Sequence, residues 1–324
     1  MIKGYDIIGD VHGCARALIR LLEKLGYREE QGVFGHPHRQ AIFVGDILDR
    51  GPRIRQALHI VKNMVDAGSA QCVMGNHEYN AIAYTTPVPG AFTNEFLRSH
   101  NPRHDRCIAE TLLEFEDYSA EWQMFLEWFK TLPLFLELPG CRVVHACWDE
   151  QLINHYKQEY GTSQVSMEFI HASIERGSFA HRVMDRLTRG TDMPLPDGMK
   201  MYSREGYQRG FFRTKFWSTD PKTYRDVVFQ PDPLPEKIAD RDLSPDEMAQ
   251  LIHYDPDALP VFVGHYWLQG LPKPLTHNVA CLDYSAVKYG RLVAYRFDGE
   301  RNLDDNKFFW VYVDPETFLD GNDL

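Results

Sequence analysis

Short apolar runs that stop at or near a glycine and give way to polar residues recur along this chain. The first is "YDIIGDVHG" (5–13), followed by "AIFVGDILDRG" (41–51) and "AQCVMGNHE" (70–78). Two more, "CRVVHACWD" (141–149) and "PVFVGHYW" (260–267), come much later. Each is rich in Val, Ile or Phe and too short for a helix, so each reads as a buried strand. Between the first three the period changes. Residues 14–25 set Leu18, Leu21, Leu22 and Leu25 on one helical face, and residues 52–67 do the same with Ile54, Leu58, Val61 and Val65. Pro52 suits the first turn of the second helix and Gly68 its C-terminal stop. Strand, helix, strand, helix, strand predicts an α/β fold with crossover connections.

Two regions depart from this alternation. Residues 91–133 read as helical, with Trp122, Phe125, Leu126 and Phe129 on one face and Pro133 after the end. Residues 150–259 form a long insertion with a helical pattern at 165–188, the loop "GTDMPLPDG" (190–198) and a basic, aromatic stretch "QRGFFRTKFWSTDP" (208–221). A proline-rich link "QPDPLPE" (230–236) and a capping box "SPDE" (244–247) follow. The insertion reads as a cap on one large domain, 1–324, and not as an independent unit. Residues 278–300 read as two strands joined by a tight connection.

In α/β sheets, ligands bind just beyond the carboxyl ends of the strands. Those ends are where this chain puts Asp10, His12, Asp46, Asn76, His145 and His265. A carboxylate and an imidazole two residues apart at a strand end are costly unless something uses them. Mixed carboxylate, imidazole and amide donors suit manganese, iron or zinc better than calcium or magnesium. Six groups exceed one tetrahedral ion and fit two ions, roughly 3.5–4 Å apart, that share a bridging carboxylate, for which Asp46 is the natural choice.

Composition narrows the setting. The formal net charge of −11 disfavours a lasting nucleic-acid partner or an anionic membrane surface, while leaving room for a local basic pocket. No apolar run approaches the ~18 residues of a membrane span, and "MIKGYDIIGDVHG", broken by Asp6 and Asp10, does not read as a signal peptide. The six cysteines form no CxxC pair, which points to reduced thiols and a cytoplasmic protein. Oligomeric state is not legible.

"GDVHG", "GDILDRG" and "GNHE", in this order and at this spacing, resemble the calcineurin-like metallophosphoesterases, in the branch of the phosphoprotein phosphatases and diadenosine tetraphosphatases. "VVHA" and "VGH" supply the two later histidines of that pattern. The resemblance implies a β-sandwich core flanked by helices, with a dinuclear site at the strand C-terminal ends. It implies that Asp10, His12 and Asp46 hold one metal, and Asp46, Asn76, His145 and His265 the other. Two divalent or trivalent ions are expected, manganese first, with iron or zinc as alternatives. Arg50 would grip phosphate oxygens, and His77, oriented by Asp49, would protonate the leaving oxygen. A water or hydroxide bridging the metals would be the nucleophile. Arg50, Asn76 and, from the insertion, Arg213 make the substrate-binding set, with Arg209 a second candidate. The pattern departs at Ala146–Cys147, at Tyr266 and at "LDYSA" (282–286), positions that bear on the substrate and remove no ligand.

The expected activity is hydrolysis of phosphomonoesters, protein or small-molecule. The alternatives are a dinucleoside polyphosphate hydrolase, with Phe211, Phe212 or Trp217 as surfaces for adenine, and a phosphodiesterase. A non-catalytic metal-binding scaffold is the reading from a different class; the presence of the full ligand set and of the His77–Asp49 pair argues against it.

Overall fold

A strand that is apolar at successive positions must be covered on both faces, because neighbouring side chains point to opposite sides. Ile7 and Ile8 meet this demand in the computed structural model, which describes residues 2–90, 95–202, 208–229 and 234–313. Both are fully buried, Ile7 in one core and Ile8 in another. They belong to β1 (Gly4–Ile8), which leads into α1 (Ala15–Leu25), a hairpin of β2 (Arg28–Glu30) and β3 (Val33–Gly35), then β4 (Arg39–Phe43), α2 (Ile54–Asp66), β5 (Ala70–Cys72) and α3 (Asn76–Thr85). Next come α4 (Pro102–Glu114), α5 (Ser119–Phe129), β6 (Phe135–Leu138), β7 (Cys141–Val144), α6 (Glu150–Tyr160), α7 (Met167–Ala172) and α8 (Phe179–Arg189). The short elements β8 (Thr191–Pro194), β9 (Met201–Tyr202), β10 (Gln208–Arg209) and β11 (Phe211–Thr214) follow, with single-turn helices α9 (Tyr224–Val227), α10 (Glu236–Ala239) and α11 (Pro245–Gln250). The chain closes with β12 (Val261–Val263), β13 (Val279–Cys281), β14 (Asp283–Tyr284), β15 (Arg291–Phe297) and β16 (Phe308–Tyr312).

Two sheets face each other. In the first, β1, β4 and β5 run parallel, as the βαβα pattern requires, and β15 adds antiparallel to β1, with β16 and β14 also on β15. The second is β13–β12–β7–β6, parallel except for the β6–β7 hairpin. Ile7, Ile42, Val44 and Val293 from the first sheet meet Val143, Phe262 and Ala280 from the second in one dry layer. The outer faces carry helices. Ile8, Ala41 and Phe43 pack with Leu18, Leu22, Leu58 and Val61, and on the other flank Val144 and Val263 share a core with Ile153, Val183 and Leu187. Each such side chain contributes about 1.5–3 kcal/mol by leaving water.

Several expectations are adjusted. The helix at 52–67 begins at Ile54, so Pro52 lies just ahead of it, and Gly68 follows its end with φ +72. The pattern at 165–188 is two helices, separated by a turn whose Ser178 caps α8 by accepting from the His181 N–H. Residues 278–300 hold three strands, because the chain crosses from the second sheet to the first at Leu282, whose N–H donates to the Val263 carbonyl (2.8 Å). Of 150–259, the helices α6–α8 are built into the main core, whereas Met193, Leu195, Phe212, Tyr224, Val227, Ile238 and Leu243 form a small core of their own. Residues 91–94 of the helical segment and 230–233 of the proline-rich link lie outside the described residues.

One polar group interrupts the apolar layer beneath α1. Asp6, with no exposed surface, accepts from Arg39 Nε (3.0 Å) and Arg296 Nε (2.9 Å), while Arg39 also donates to the Tyr5 and Phe297 carbonyls (2.8 Å each). Removing one member of a buried ion network strands the others without compensation. Asp6→Ala is therefore expected to cost about 3–5 kcal/mol in urea unfolding. A loss well under 1 kcal/mol, roughly the value of a surface pair, would show that the network is solvated.

Candidate metal centre

The loops that leave β1 and β4 are tied to each other before any side chain is considered. The N–H groups of Val11 and His12 both donate to the Asp46 carbonyl (3.1 and 2.9 Å), and that of Gly13 to Ile47 (2.8 Å). The backbone adopts left-handed φ values at His12 (43°), Asp46 (52°), Asp49 (68°), Arg50 (71°) and His265 (65°). Such values are uncommon for residues with a Cβ and persist where the surroundings impose them. Glu78, fully buried in the first turn of α3, supplies that constraint for Asp46. Its carboxylate accepts from the N–H groups of Gly75 (2.9 Å), Asp46 (2.9 Å) and Ile47 (2.8 Å).

Side chains from five strand-end segments meet at this rim. Asp46 Oδ2 lies 3.7 Å from His12 Nε2, 3.8 Å from His77 Nε2 and 3.3 Å from His145 Nε2. Asn76 Oδ1 lies 3.2 Å from His145 Nε2 and 2.9 Å from His265 Nδ1. Asp10 takes the His265 backbone N–H with both oxygens (3.3 and 3.1 Å). Two overlapping triads have donor atoms mutually within 4.8 Å, His12–Asp46–His77 and Asp46–His145–His265, and Asp46 is common to both. His77 thus stands in the first triad, whereas Asp10 is oriented by the second.

The hydrogen-bond partners fix the imidazoles. His12 Nδ1 lies 2.9 Å from the Leu48 carbonyl and His145 Nδ1 2.7 Å from that of Val44. A carbonyl only accepts, so both Nδ1 atoms carry the proton and the Nε2 atoms face Asp46. Among the described residues, His12 Nε2 and His265 Nε2 are buried without a hydrogen-bond partner. Burial pulls both rings well below the usual imidazole range, which leaves neutral donors. His145 is different: burial opposes its charge, yet Asp46 and Asp10 raise it to about 10. Asp46 is held well below the usual carboxylate range by His145 and His77, against the cost of its burial. Burial and the neighbouring Asp283 push Asp10 up. Orphaned imidazole nitrogens around one shared carboxylate fit cations in this pocket, since an unmade buried hydrogen bond costs about 1–3 kcal/mol each.

Beside the triads runs a second line of contacts. Asp49 Oδ2 accepts from His77 Nδ1 (2.5 Å), its other oxygen accepts from the Thr111 hydroxyl, and Arg50 Nη2 lies 3.0 Å from His77 Nε2. Arg50 leaves Nη1 buried without a hydrogen-bond partner among the described residues, and its guanidinium lies 4.8 Å from the centre of the Trp267 ring. Arg213 stands on β11 opposite Asp192, within electrostatic reach of Arg50, Arg209 and Asp283. Of the three aromatic surfaces expected for a base, Phe212 and Trp217 are buried, and Phe211 is 57% exposed.

Glu78, Thr111, Trp267 and Asp283 went unassigned in the sequence. Glu78 had a signal, since a glutamate at the third position of a helix is where a capping box puts one. Thr111 had none, being 62 residues from Asp49 on an unrelated helix. Gly264 has a steric role: a Cβ there would lie 2.0 Å from Asp10 Oδ1. Gly264→Ala is expected to displace Asp10 and weaken metal affinity by about 10–100-fold, as outer contacts to ligands do. Metal titration of folded protein checks this; unchanged affinity would mean that Asp10 is not held by this contact.

A family model described as calcineurin-like phosphoesterase matches residues 5–266. The asymmetrical bis(5'-nucleosyl)-tetraphosphatase PrpE of Halalkalibacterium halodurans is 47% identical over 166 residues, which cover 49% of this chain and 63% of that protein. Its counterpart from Oceanobacillus iheyensis is 35% identical over 156 residues, 46% of this chain and 58% of that one. The match thus spans 58–63% of the length of these curated relatives. A solved protein serine/threonine phosphatase from Saccharomyces cerevisiae, with similarity to human phosphatase PP5, covers 95% of this chain and 78% of its own at 14% identity and a TM-score of 0.46.

Proposed function

We propose that this chain, which belongs to the calcineurin-like phosphoesterase family, is a metal-dependent hydrolase of dinucleoside polyphosphates. The observation that carries the substrate class is the 35–47% identity, over about half the chain, to the tetraphosphatases described above. This reverses the order of the sequence reading, which put phosphomonoesters first. The rim supports the same choice. Arg50 keeps a buried N–H group unpartnered among the described residues, and β11 carries both Arg213 and the exposed ring of Phe211. In this reading the 150–259 stretch caps the centre and brings Arg209 and Arg213 to it.

Asp10, His12 and Asp46 would hold one ion, and Asp46, Asn76, His145 and His265 the other. Manganese suits these mixed oxygen and nitrogen donors, with iron or zinc as alternatives. When bound, such ions lower the pKa of a coordinated water and neutralise charge developing on the phosphoryl oxygens. The chain's own groups do the rest. Arg50 turns its planar fork from His77 Nε2 to the phosphoryl oxygens. Freed of that donor, Nε2 takes up a proton and delivers it to the leaving oxygen, while Asp49 keeps the Nδ1–H and steadies the imidazolium. Thr111 holds Asp49 in turn. No helix among the described residues is long and apolar enough to cross a membrane, and a cytoplasmic setting fits six free cysteines.

The test is a panel of diadenosine tetraphosphate, a phosphopeptide, p-nitrophenyl phosphate and its bis-ester with manganese-loaded protein. The highest kcat/KM is expected on the tetraphosphate. A higher value on the phosphopeptide would restore the monoester reading, and a higher value on the bis-ester the phosphodiesterase one.

A further inference from the structure

Helix α3 starts at the metal centre and leads away from it. Asn80 stands four residues beyond Asn76, one turn further along the same face. Its Oδ1 accepts from two arginines at once, Arg98 Nη1 (2.9 Å) and Arg189 Nη2 (2.8 Å). They come from two separate later segments of the chain. Arg98 sits in the segment after α3, where its backbone N–H is fixed to the Ala83 carbonyl (2.9 Å). Arg189 ends α8, lies 5.6 Å from the centre of the Tyr79 ring and pairs with Asp185 (3.1 Å). The end of α8 is tied to the rim of the centre, since the Ala146 N–H, next to His145, donates to the Leu187 carbonyl (2.9 Å).

Arg189 is offset by the Asp185 carboxylate, whereas Arg98, held beside it on one neutral oxygen, has no ion-pair partner among the described residues, and burial followed by Arg189 lowers it to about 10. An amide oxygen does not offset that remaining cation. An added anion relieves both the repulsion and the desolvation, and paired planar forks are the arrangement that recognises phosphate oxygens.

We propose that Arg98 and Arg189, gathered on Asn80, form a second phosphate subsite one helical turn from the metal centre, which takes a phosphate of the substrate other than the one being hydrolysed. It rests on the polyphosphate reading, since a monoester has only one phosphate to offer. The subsite selects substrates whose phosphates run in a chain.

The test compares wild type with Arg98→Gln and Arg98→Lys. Two ratios are read: kcat/KM for diadenosine tetraphosphate over that for p-nitrophenyl phosphate, and the inhibition of p-nitrophenyl phosphate turnover by inorganic tripolyphosphate over that by orthophosphate. Arg98→Gln is expected to lower both by about tenfold or more, the loss of a charged hydrogen bond. Arg98→Lys keeps the charge without the fork and falls between, and it carries the test if the glutamine variant does not fold. Ratios equal to wild type in both variants overturn the subsite. If wild type hydrolyses p-nitrophenyl phosphate and not the tetraphosphate, the substrate reading fails separately. The tripolyphosphate arm then still decides: selective inhibition lost in the variants keeps the subsite, and its absence removes it.

Discussion

Asp46→Asn is expected to lower kcat/KM by about three orders of magnitude or more, the several kcal/mol that a metal-stabilised transition state stands to lose. It is also expected to reduce bound metal at both positions. The reason is geometric. His12, His77 and His145 all point nitrogen atoms at Asp46 Oδ2, and both triads contain this residue. Asparagine keeps the size and one oxygen and loses the charge that makes sharing between two cations favourable. Glu78 binds the backbone N–H of Asp46 and not its side chain, so the loop stays in place in the variant. Metal analysis beside steady-state kinetics checks the expectation. Full activity with two ions bound would remove Asp46 from the shared position.

The second large effect is on His77. His77→Ala is expected to slow release of poor leaving groups, such as a phosphoserine alkoxide, by about 10²–10⁴-fold, the usual reach of a positioned proton donor. Release of nitrophenolate, which needs little protonation, should suffer much less. The pattern follows from the contacts. Asp49 fixes Nδ1, Thr111 fixes Asp49, and Arg50 is the one hydrogen-bond partner of Nε2 among the described residues. Because His77 also stands 3.8 Å from Asp46, metal content has to be measured in the same variant. Equal losses on both leaving groups, with metal retained, would take the proton-donor role away from His77.

How much of this was readable in advance depends on the range of the interaction. The five strands that end in site residues announced themselves, because an apolar run that gives way abruptly to a polar residue, after a glycine in all but the run before His145, is a local signal. So did α1 and α2, whose leucines and valines keep the helical period. The pairing of two sheets was not local. Ile7 and Ile8 look alike in the sequence, and only the registry with Val143 and Phe262 on a distant segment tells which side each serves. The turn at Leu282 was missed for the same reason, since a strand that leaves one sheet for another keeps its apolar character throughout. In the site, the motif residues were legible and their supports were not. Thr111, Trp267 and Arg98 gain a role only from what they touch. Phe212 and Trp217 are candidate surfaces for adenine in the sequence, yet Phe212 is buried in the small core and Trp217 in the main one, against Tyr266.

The five strand-end segments of the centre come from different walls of the sandwich: those after β1, β4 and β5 rise from one sheet, those after β7 and β12 from the other. The gap between the two sets of donors is therefore measured out by the greasy filling between the walls. Ile42, Val44, Phe262 and their neighbours act as spacers, and the thickness of that hydrocarbon layer sets how far His145 and His265 stand from Asp46 and Asn76.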